Sequence, residues 1–456
     1  MYELKGMIMD NEQVILLEFN ELCPPLLKKF MDQGELPNFS RLYNQSKVYT
    51  TNAECDVEYL EPWIQWVTLH TGVSFDEHKI YRLGQAQNLA HDNIWDVLSK
   101  NGKSSWICGS MNVKWDNKDS NVSVLPDPWS IDVEASPKEL QTFYNFVRAN
   151  VQEHTNENYR LSLKDYFAFL TFMLKHGLSF STIQRLIGVV FKQVTKAEDR
   201  WKKATILDWL QFDVFAAFYK KKHPAFSTFF SNSTAHFQHK YWRYMEPEKF
   251  PMKPSDSDIE KYGDAILYAY KNHDELIGKA LKLAGKNGTV ILSSAMSQQP
   301  FTEMDEVGGK QFYRPHNMAS LKDIFGLEGV EKISPVMSHQ FHILCDSEES
   351  AKANHDKLNS VIWEDDSLFS LRLEGKDVFG GCRIYQPIPS DSVIEINGKN
   401  ASFMDIFYLA DNLKSGMHHP HGVFWVYQQD RKFDEHSEVI PLENATRIIL
   451  NECGVA

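Results

Sequence analysis

Apolar runs alternate with helix-like segments along much of the chain. Residues 13–20 are apolar until they end in polar residues, which is typical of a buried parallel strand whose carboxyl end meets solvent. A helix is predicted at residues 24–31. This segment begins with proline, which the first turn of a helix tolerates. The alternation then predicts helices at 37–43, 63–69 and 93–100, and strands at 104–108, 225–230 and 288–293. This order predicts an α/β fold with a mainly parallel central sheet flanked by helices.

Residues 136–222 have a different pattern, with apolar positions three and four apart and no strand between them. Helices are predicted at 137–153, 162–176, 179–194 and 200–221. We interpret this segment as a helical insertion that forms a cap over the core. The apolar stripe of residues 165–174 is expected to pack on the core, with docking on a membrane surface or a partner as the alternative.

A second, small α+β insertion is predicted at residues 336–410. Its strands are expected at 339–345, 369–373, 383–387 and 393–396, and its helix at 348–360. The two insertions divide the α/β core into three parts, residues 1–135, 223–335 and 411–456.

Composition excludes several classes of protein. The 456 residues are 43% hydrophobic, which is enough for a packed core, and the net charge of −13 argues against non-specific binding to nucleic acid. We expect no transmembrane segment and no signal peptide, because long apolar runs are missing. Six cysteines without CxxC spacing predict neither a disulfide framework nor a zinc framework. These features favour a reduced, cytoplasmic protein of open oligomeric state.

Five segments, taken in order, carry a family resemblance. They are residues 14–24 with 36–42, residues 61–72 with His78 following, and residues 233–244, 289–296 and 415–422. In these segments the chain resembles the alkaline phosphatase superfamily, in particular its phosphodiesterase and phosphomutase-like branches. The resemblance implies two metal ions, usually zinc or manganese, at the carboxyl ends of the strands, and a Thr, Ser or Cys nucleophile.

Most positions of that implied site carry other residues in this chain. The family's metal-binding and nucleophilic positions fall on Asn20, Pro62, Ala235, His239, Ala295, Met296 and His418. Only His239 and His418 are good metal ligands among these, because alanine, methionine and proline offer no hard ligand or nucleophile. A shift of three residues in the third segment would align Asn232 and His236 instead. We therefore predict a degenerate metal site that has lost its binuclear centre.

The same strand ends present other polar and aromatic side chains. The candidate catalytic residues are Glu18, Glu61, His239 and His418, because carboxyl and imidazole groups can be tuned for acid–base catalysis. The candidate substrate-binding residues are Asn20, Trp63, Gln65, Trp66, Asn232, His236, Ser294, Gln298 and His421.

Three functions remain open from the sequence. The first is a metal-independent hydrolase or group transferase without a cofactor, acting on a phosphorylated or sugar-conjugate small molecule. The second is a phosphoester hydrolase with one zinc ion held by His239, His418 and either His236 or His421. The third is a non-catalytic protein that binds a ligand in the old site.

Overall fold

A computed structural model describes residues 13–455 except 54, 57–58, 116–118, 131–132, 153–160, 196, 337–338 and 411–412. The strands are β1 (Val14–Phe19), β2 (Ser46–Asn52), β3 (Ser105–Cys108), β4 (Val122–Leu125), β5 (Phe226–Ser231), β6 (Thr289–Ser293), β7 (Ser297–Pro300), β8 (Phe312–Pro315), β9 (Val330–Pro335), β10 (Gln340–Cys345), β11 (Ile362–Trp363), β12 (Asp366–Ser367), β13 (Phe369–Glu374), β14 (Asp377–Cys382), β15 (Val393–Ile396), β16 (Lys399–Ser402), β17 (Phe407–Ala410), β18 (Gly416–His419), β19 (His421–Gln428), β20 (Asp434–Glu435) and β21 (Ile440–Pro441). The helices are α1 (Pro24–Asp32), α2 (Pro37–Asn44), α3 (Pro62–Thr71), α4 (Phe75–His78), α5 (Ile94–Lys100), α6 (Gln141–Gln152), α7 (Leu163–Lys175), α8 (Phe180–Thr195), α9 (Ile206–Lys222), α10 (Ser233–Met245), α11 (Asp256–Tyr262), α12 (Ala265–Ala284), α13 (Leu321–Phe325), α14 (Glu348–Asn359), α15 (Phe403–Ile406) and α16 (Asn444–Glu452).

The central sheet has the order β20-β2-β19-β6-β1-β5-β3-β4, and β21 also pairs with β2. Strand β1 lies between two parallel neighbours, with Val14 opposite Phe226 of β5 and Thr289 of β6. Strand β19 runs antiparallel to both β2 and β6. The predicted α/β fold with a mainly parallel sheet flanked by helices is confirmed.

Both faces of β1 are buried, which explains its unbroken apolar run. Ile15, Leu17 and Phe19 belong to the core on one side of the sheet, whereas Val14 and Leu16 belong to the core on the other side. Successive side chains of a strand point to opposite faces, and helices cover both faces of this sheet. The polar residues that follow β1 therefore mark the edge where the sheet ends and a site can open.

The small insertion has a four-stranded sheet in the order β13-β14-β10-β9. The predicted strand at 383–387 is wrong, because β14 ends at Cys382 and no strand of the described residues follows it before β15. Two glycines in β14 weaken its strand signal, yet a Cβ at Gly380 would lie 2.1 Å from the Ser370 carbonyl oxygen. Strands β9 and β10 pair across the predicted boundary at residue 336, so this sheet begins at Val330.

Two buried arginines fix the loops around the carboxyl edge of the central sheet. Arg243 of α10 forms an ion pair with Asp305 at 3.0 Å and donates to the Ser415 hydroxyl at 3.1 Å. Arg82 forms an ion pair with Glu374 of the small insertion and stacks on Phe379, with its guanidinium carbon 3.7 Å from the ring centroid. The small insertion is thereby tied to the core close to the candidate site.

Residues 136–222, which the sequence predicts to form a cap, do not bury all of their apolar side chains. Phe172 and Met173 of α7 are buried, as expected, but Leu163, Phe167 and Leu174 are exposed. The expectation that the stripe at 165–174 packs on the core is therefore wrong for the exposed part. In the described part of the chain, no helix combines the length and the hydropathy that a membrane crossing requires.

Acid should destabilise the fold through His78, whose ring is buried and neutral. Its Nδ1 accepts from the Ile80 N–H at 3.0 Å and its Nε2 lies 3.1 Å from the Thr68 hydroxyl. Burial lowers the pKa of His78 to about 4. The unfolded chain, with a histidine pKa of about 6.5, takes up the proton first, so stability falls as the pH decreases below about 6.5.

We expect His78 to account for about 2 kcal/mol of the stability that is lost between about pH 7.5 and about pH 5. Urea unfolding at both pH values measures this loss. The variant His78→Asn keeps an acceptor for Ile80 and should lose about 2 kcal/mol less than the wild type over the same range. Equal losses in the two proteins would show that His78 does not contribute.

Candidate metal centre

Three ligand-type side chains meet at the carboxyl edge of the central sheet. Glu21 follows β1, His239 lies on α10 and His418 lies on β18. The Glu21 Oε2 atom is 3.1 Å from His239 Nε2 and 3.6 Å from His418 Nε2. The ligand atoms of all three residues lie within 4.8 Å of one another. We call these three residues the Glu21 cluster.

The backbone of Glu21 is in a left-handed conformation with φ of 59°. Such a conformation costs a residue with a side chain on the order of 1 kcal/mol. Three side chains hold Glu21 there: Asn20 donates to its Oε1 at 2.9 Å, Gln298 donates to its Oε2, and Gln238 donates to its backbone carbonyl at 2.7 Å. Backbone strain that the surroundings enforce in this way is typical of functional positions.

The hydrogen bonds of His239 determine its tautomer. They therefore determine whether the ring nitrogen next to Glu21 carries a proton or a lone pair. Its Nδ1 lies 2.9 Å from the carbonyl oxygen of Gly416, which only accepts, so Nδ1 carries a proton. In the neutral ring, Nε2 then points a lone pair at the Glu21 carboxylate. Two lone pairs at 3.1 Å repel unless a proton or a cation lies between them. A metal-binding histidine commonly donates its other N–H to a carbonyl in this manner.

The protonation states also suit a metal. Burial by itself raises the pKa of Glu21, but His418, His239 and the Gln298 amide bring it down to about 2, so this carboxylate is ionised. Burial lowers the pKa of His418 to about 4, so its ring is neutral at pH 7. An ionised carboxylate and neutral imidazoles are the forms that bind metal ions.

Zinc fits this set of donors. Atoms that bind zinc tetrahedrally at about 2.0–2.1 Å lie about 3.3 Å apart, close to the 3.1 Å and 3.6 Å separations from Glu21 to the two histidines. Two histidines and one glutamate with a fourth position left for water are a known catalytic zinc set. Among the described residues, this is the one group of three such donors.

Glu61 is a second acid beside the Glu21 cluster. It precedes the first residue of α3, and its Oε2 is 3.7 Å from His418 Nδ1. Burial raises the pKa of Glu61 to about 8, with Lys414 opposing the shift and Glu21 adding to it. Burial also lowers the pKa of Lys414. The site thus combines a carboxyl group that is protonated at pH 7 with a nearby ammonium group.

Four of the predicted site residues, Asn20, Trp66, Asn232 and Gln298, support the Glu21 cluster directly or through Asn20. Asn20 is buried, donates to Asn232 Oδ1 at 2.7 Å and accepts from Trp66 Nε1 at 2.8 Å. Gln298 lies opposite His418 in the β7–β18 pair and also donates to the Ala235 carbonyl at 3.1 Å. The hydrogen bonds of these side chains hold the cluster in position.

Glu18 and two residues of α3 lie away from the cluster. Glu18 is fully buried and bonds to His70 at 2.7 Å on the α3 side of the sheet. Gln65 is buried and donates to the Tyr59 carbonyl at 3.1 Å. Trp63 is half-buried, and its indole donates to the Tyr81 carbonyl at 3.2 Å.

The remaining predicted residues are spread around the edge. His236 is exposed and lines a separate cavity of about 210 Å³, together with Asn232, where the cap meets the ends of β3, β4 and β5. Ser294 is buried and accepts from the Val423 N–H at 2.9 Å. The ring of His421 packs against His419, with centroids 5.1 Å apart. Glu21 is therefore the third member of the cluster, where the one-zinc hypothesis had placed His236 or His421.

Two residues of the site escaped the sequence analysis, namely Glu21 and Lys414. Strand β1 ends at Phe19 and the backbone of Glu21 is left-handed, so the alternation of strand residues does not predict which side chains Glu21 meets. The only available signal was a polar pair directly after a buried strand. Lys414 precedes the fifth family segment and has no pattern of its own.

Three comparisons relate the chain to known proteins. The profile of the family described as type I phosphodiesterase / nucleotide pyrophosphatase matches residues 14–357. Murine ectonucleotide pyrophosphatase / phosphodiesterase 5 is 10% identical over 98% of this chain and 96% of its own, with a TM-score of 0.46. Phosphonoacetate hydrolase from Sinorhizobium meliloti 1021 is 10% identical over 97% of this chain and 96% of its own, with a TM-score of 0.47. No curated protein matches the chain.

Proposed function

Because the chain belongs to the type I phosphodiesterase / nucleotide pyrophosphatase family, we propose that it hydrolyses small phosphate esters with a single zinc ion. Glu21, His239 and His418 would hold that ion. The observation that carries the proposal is the mutual approach of their ligand atoms to within 4.8 Å. Homologues of this family are metal-dependent phosphoester hydrolases, which supports a metal here.

One ion, rather than two, follows from the residues at the remaining family positions. Ala235, Ala295 and Met296 have no hard donor. Asn20 already bonds to Glu21, Asn232 and Trp66, so it is occupied in positioning the cluster. The positive charge that a second ion supplies has a partial replacement in Lys414.

The nucleophile is proposed to be water. Pro62 occupies the family's nucleophile position and has no side chain that can attack phosphorus. Zinc, when bound, polarises a phosphoryl oxygen and lowers the pKa of a bound water. Hydrolysis of the ester forms one P–O bond to the water oxygen and breaks the P–O bond to the alcohol, and the proton that the water releases offsets the one that Glu61 gives to the alcohol.

Glu61 is proposed to protonate the departing alcohol. Burial raises the pKa of Glu61 to about 8 in the metal-free site, which favours the protonated form that a general acid requires. Its position 3.7 Å from His418 places it next to the proposed zinc ligand. Lys414 and Arg372 act electrostatically on Glu61, so an anionic ester would meet positive charge at this side of the site.

Zinc analysis tests the proposal directly. Protein purified without chelator should contain about one zinc ion per chain by mass spectrometry and hydrolyse members of a panel of phosphate mono- and diesters. His239→Asn should lose both the zinc and the turnover. The matched control is His236→Asn on the same helix, which should keep both because His236 is outside the cluster.

Two results would overturn the assignment. Phosphate-ester turnover that survives complete zinc removal would favour a metal-independent acid–base hydrolase or transferase. A wild-type protein that neither takes up zinc nor turns over any ester would favour a non-catalytic binding protein.

A further inference from the structure

Helix α7 of the cap exposes an apolar face. We call this face the α7 stripe; its members are Leu163, Tyr166, Phe167, Leu170 and Leu174. The exposed fractions are 89% for Leu163, 73% for Phe167 and 63% for Leu174. Spacings of four, three and four residues put Leu163, Phe167, Leu170 and Leu174 on one side of the helix. The opposite side of α7 packs on the rest of the protein through Phe172 and Met173, so the α7 stripe does not contribute to the hydrophobic core.

The next helix extends this apolar surface. Phe180 and Ile187 of α8 are 72% and 63% exposed, and they are seven residues apart, which places them on one side of α8. Helix α8 follows α7 after a short turn, so the two helices present their apolar side chains from neighbouring parts of the cap. Large exposed apolar patches of this kind mark surfaces that contact another phase or partner.

Charge distinguishes the cap from the rest of the chain. Residues 136–222 contain 14 Lys and Arg against 8 Asp and Glu, a net charge of +6. The remaining residues contain 34 basic and 53 acidic side chains, a net charge of −19. On α7 itself, Lys164 and Lys175 are both exposed and lie about 100–120° around the helix from Leu163. They therefore flank one border of the α7 stripe.

We propose that the cap docks on an anionic lipid surface through the α7 stripe and the exposed side chains of α8. Apolar side chains bordered by lysine are the arrangement of helices that lie in the boundary between headgroups and acyl chains. The basic cap would face the negative lipids, and the acidic remainder would be directed away from them. A second copy of the chain is a poorer occupant, because two caps of net charge +6 would repel each other.

Co-sedimentation with vesicles tests this docking. The wild-type chain should bind phosphatidylcholine vesicles that contain about a quarter phosphatidylglycerol, and bind pure phosphatidylcholine vesicles at least about tenfold more weakly. The double variant Phe167→Gln/Leu170→Gln should bind the anionic vesicles at least about tenfold more weakly than the wild type. Glutamine favours helices, so α7 should persist, which circular dichroism would verify.

The matched control is Val393→Gln, which replaces an exposed apolar side chain on the small insertion. It should bind anionic vesicles as the wild type does. Failure of the wild type to bind anionic vesicles would overturn the proposal, as would unchanged binding by the double variant. A dimer in light scattering that the double variant abolishes, without vesicle binding by the wild type, would assign the stripe to a second copy instead.

Discussion

Glu21→Gln should remove the zinc ion and lower phosphate-ester turnover by about a thousandfold or more. The substitution keeps the size of the side chain but replaces an ionised ligand with a neutral amide. The amide no longer offsets the charge of a divalent cation, and one of its two ends donates rather than accepts. Zinc content and kcat/KM for the best ester of the panel, measured on the same preparation, check this result.

The control for this prediction is Glu18→Gln, three residues earlier in the chain. Glu18 is also buried, but its partner is His70 and it does not touch the cluster. We expect this variant to keep its zinc and its turnover, even where its unfolding free energy changes. If Glu18→Gln abolished turnover while Glu21→Gln retained zinc and activity, the metal would have to be placed elsewhere.

Glu61→Gln should reduce turnover of alkyl phosphate esters by roughly a hundredfold to ten-thousandfold, the range that a general acid contributes. Glutamine has no proton to give to a departing alkoxide. Turnover of a nitrophenyl ester should fall far less in this variant, because nitrophenolate is a good leaving group that needs no protonation. The difference between the two substrates therefore separates loss of the acid from loss of metal or structure.

The pH profile provides a second measure of the same residue. A general acid works only while it is protonated, so wild-type kcat/KM should fall as the pH rises through the pKa of Glu61. That pKa is about 8 without a metal, and a neighbouring cation lowers it, so the fall is expected at or below about pH 8. Glu61→Gln should lack this alkaline fall.

The control for Glu61 is Glu303→Gln. Glu303 is exposed and acts electrostatically on Lys414, and it is not among the main groups that shift the pKa of Glu61 or of His418. It should leave both the substrate difference and the alkaline fall unchanged. An alkaline fall that persists in Glu61→Gln would assign the titration to another group.

The class of fold can be predicted from local patterns in the sequence. The apolar run of β1 can be recognised in the sequence because both faces of that strand are buried. The alternation of strands with helices then indicates a mainly parallel sheet. The sequence also located the two histidines of the site, since each falls within a family segment. These signals are local: burial and periodicity are written into a few neighbouring residues.

The acid that joins the two histidines of the Glu21 cluster could be identified only from the folded chain. Glu21, His239 and His418 meet because β1, α10 and β18 converge at one edge of the sheet, although about 200 residues separate each from the next. The backbone at Glu21 has a positive φ, so strand periodicity ends before this residue and does not predict its contacts. The outer face of α7 was likewise undecided by its sequence, because an apolar stripe has the same spacing whether it covers a core or meets a lipid surface. The local pattern of apolar and polar residues predicts the secondary structure of a segment. The contacts of each side chain depend instead on how segments that are distant in sequence pack together.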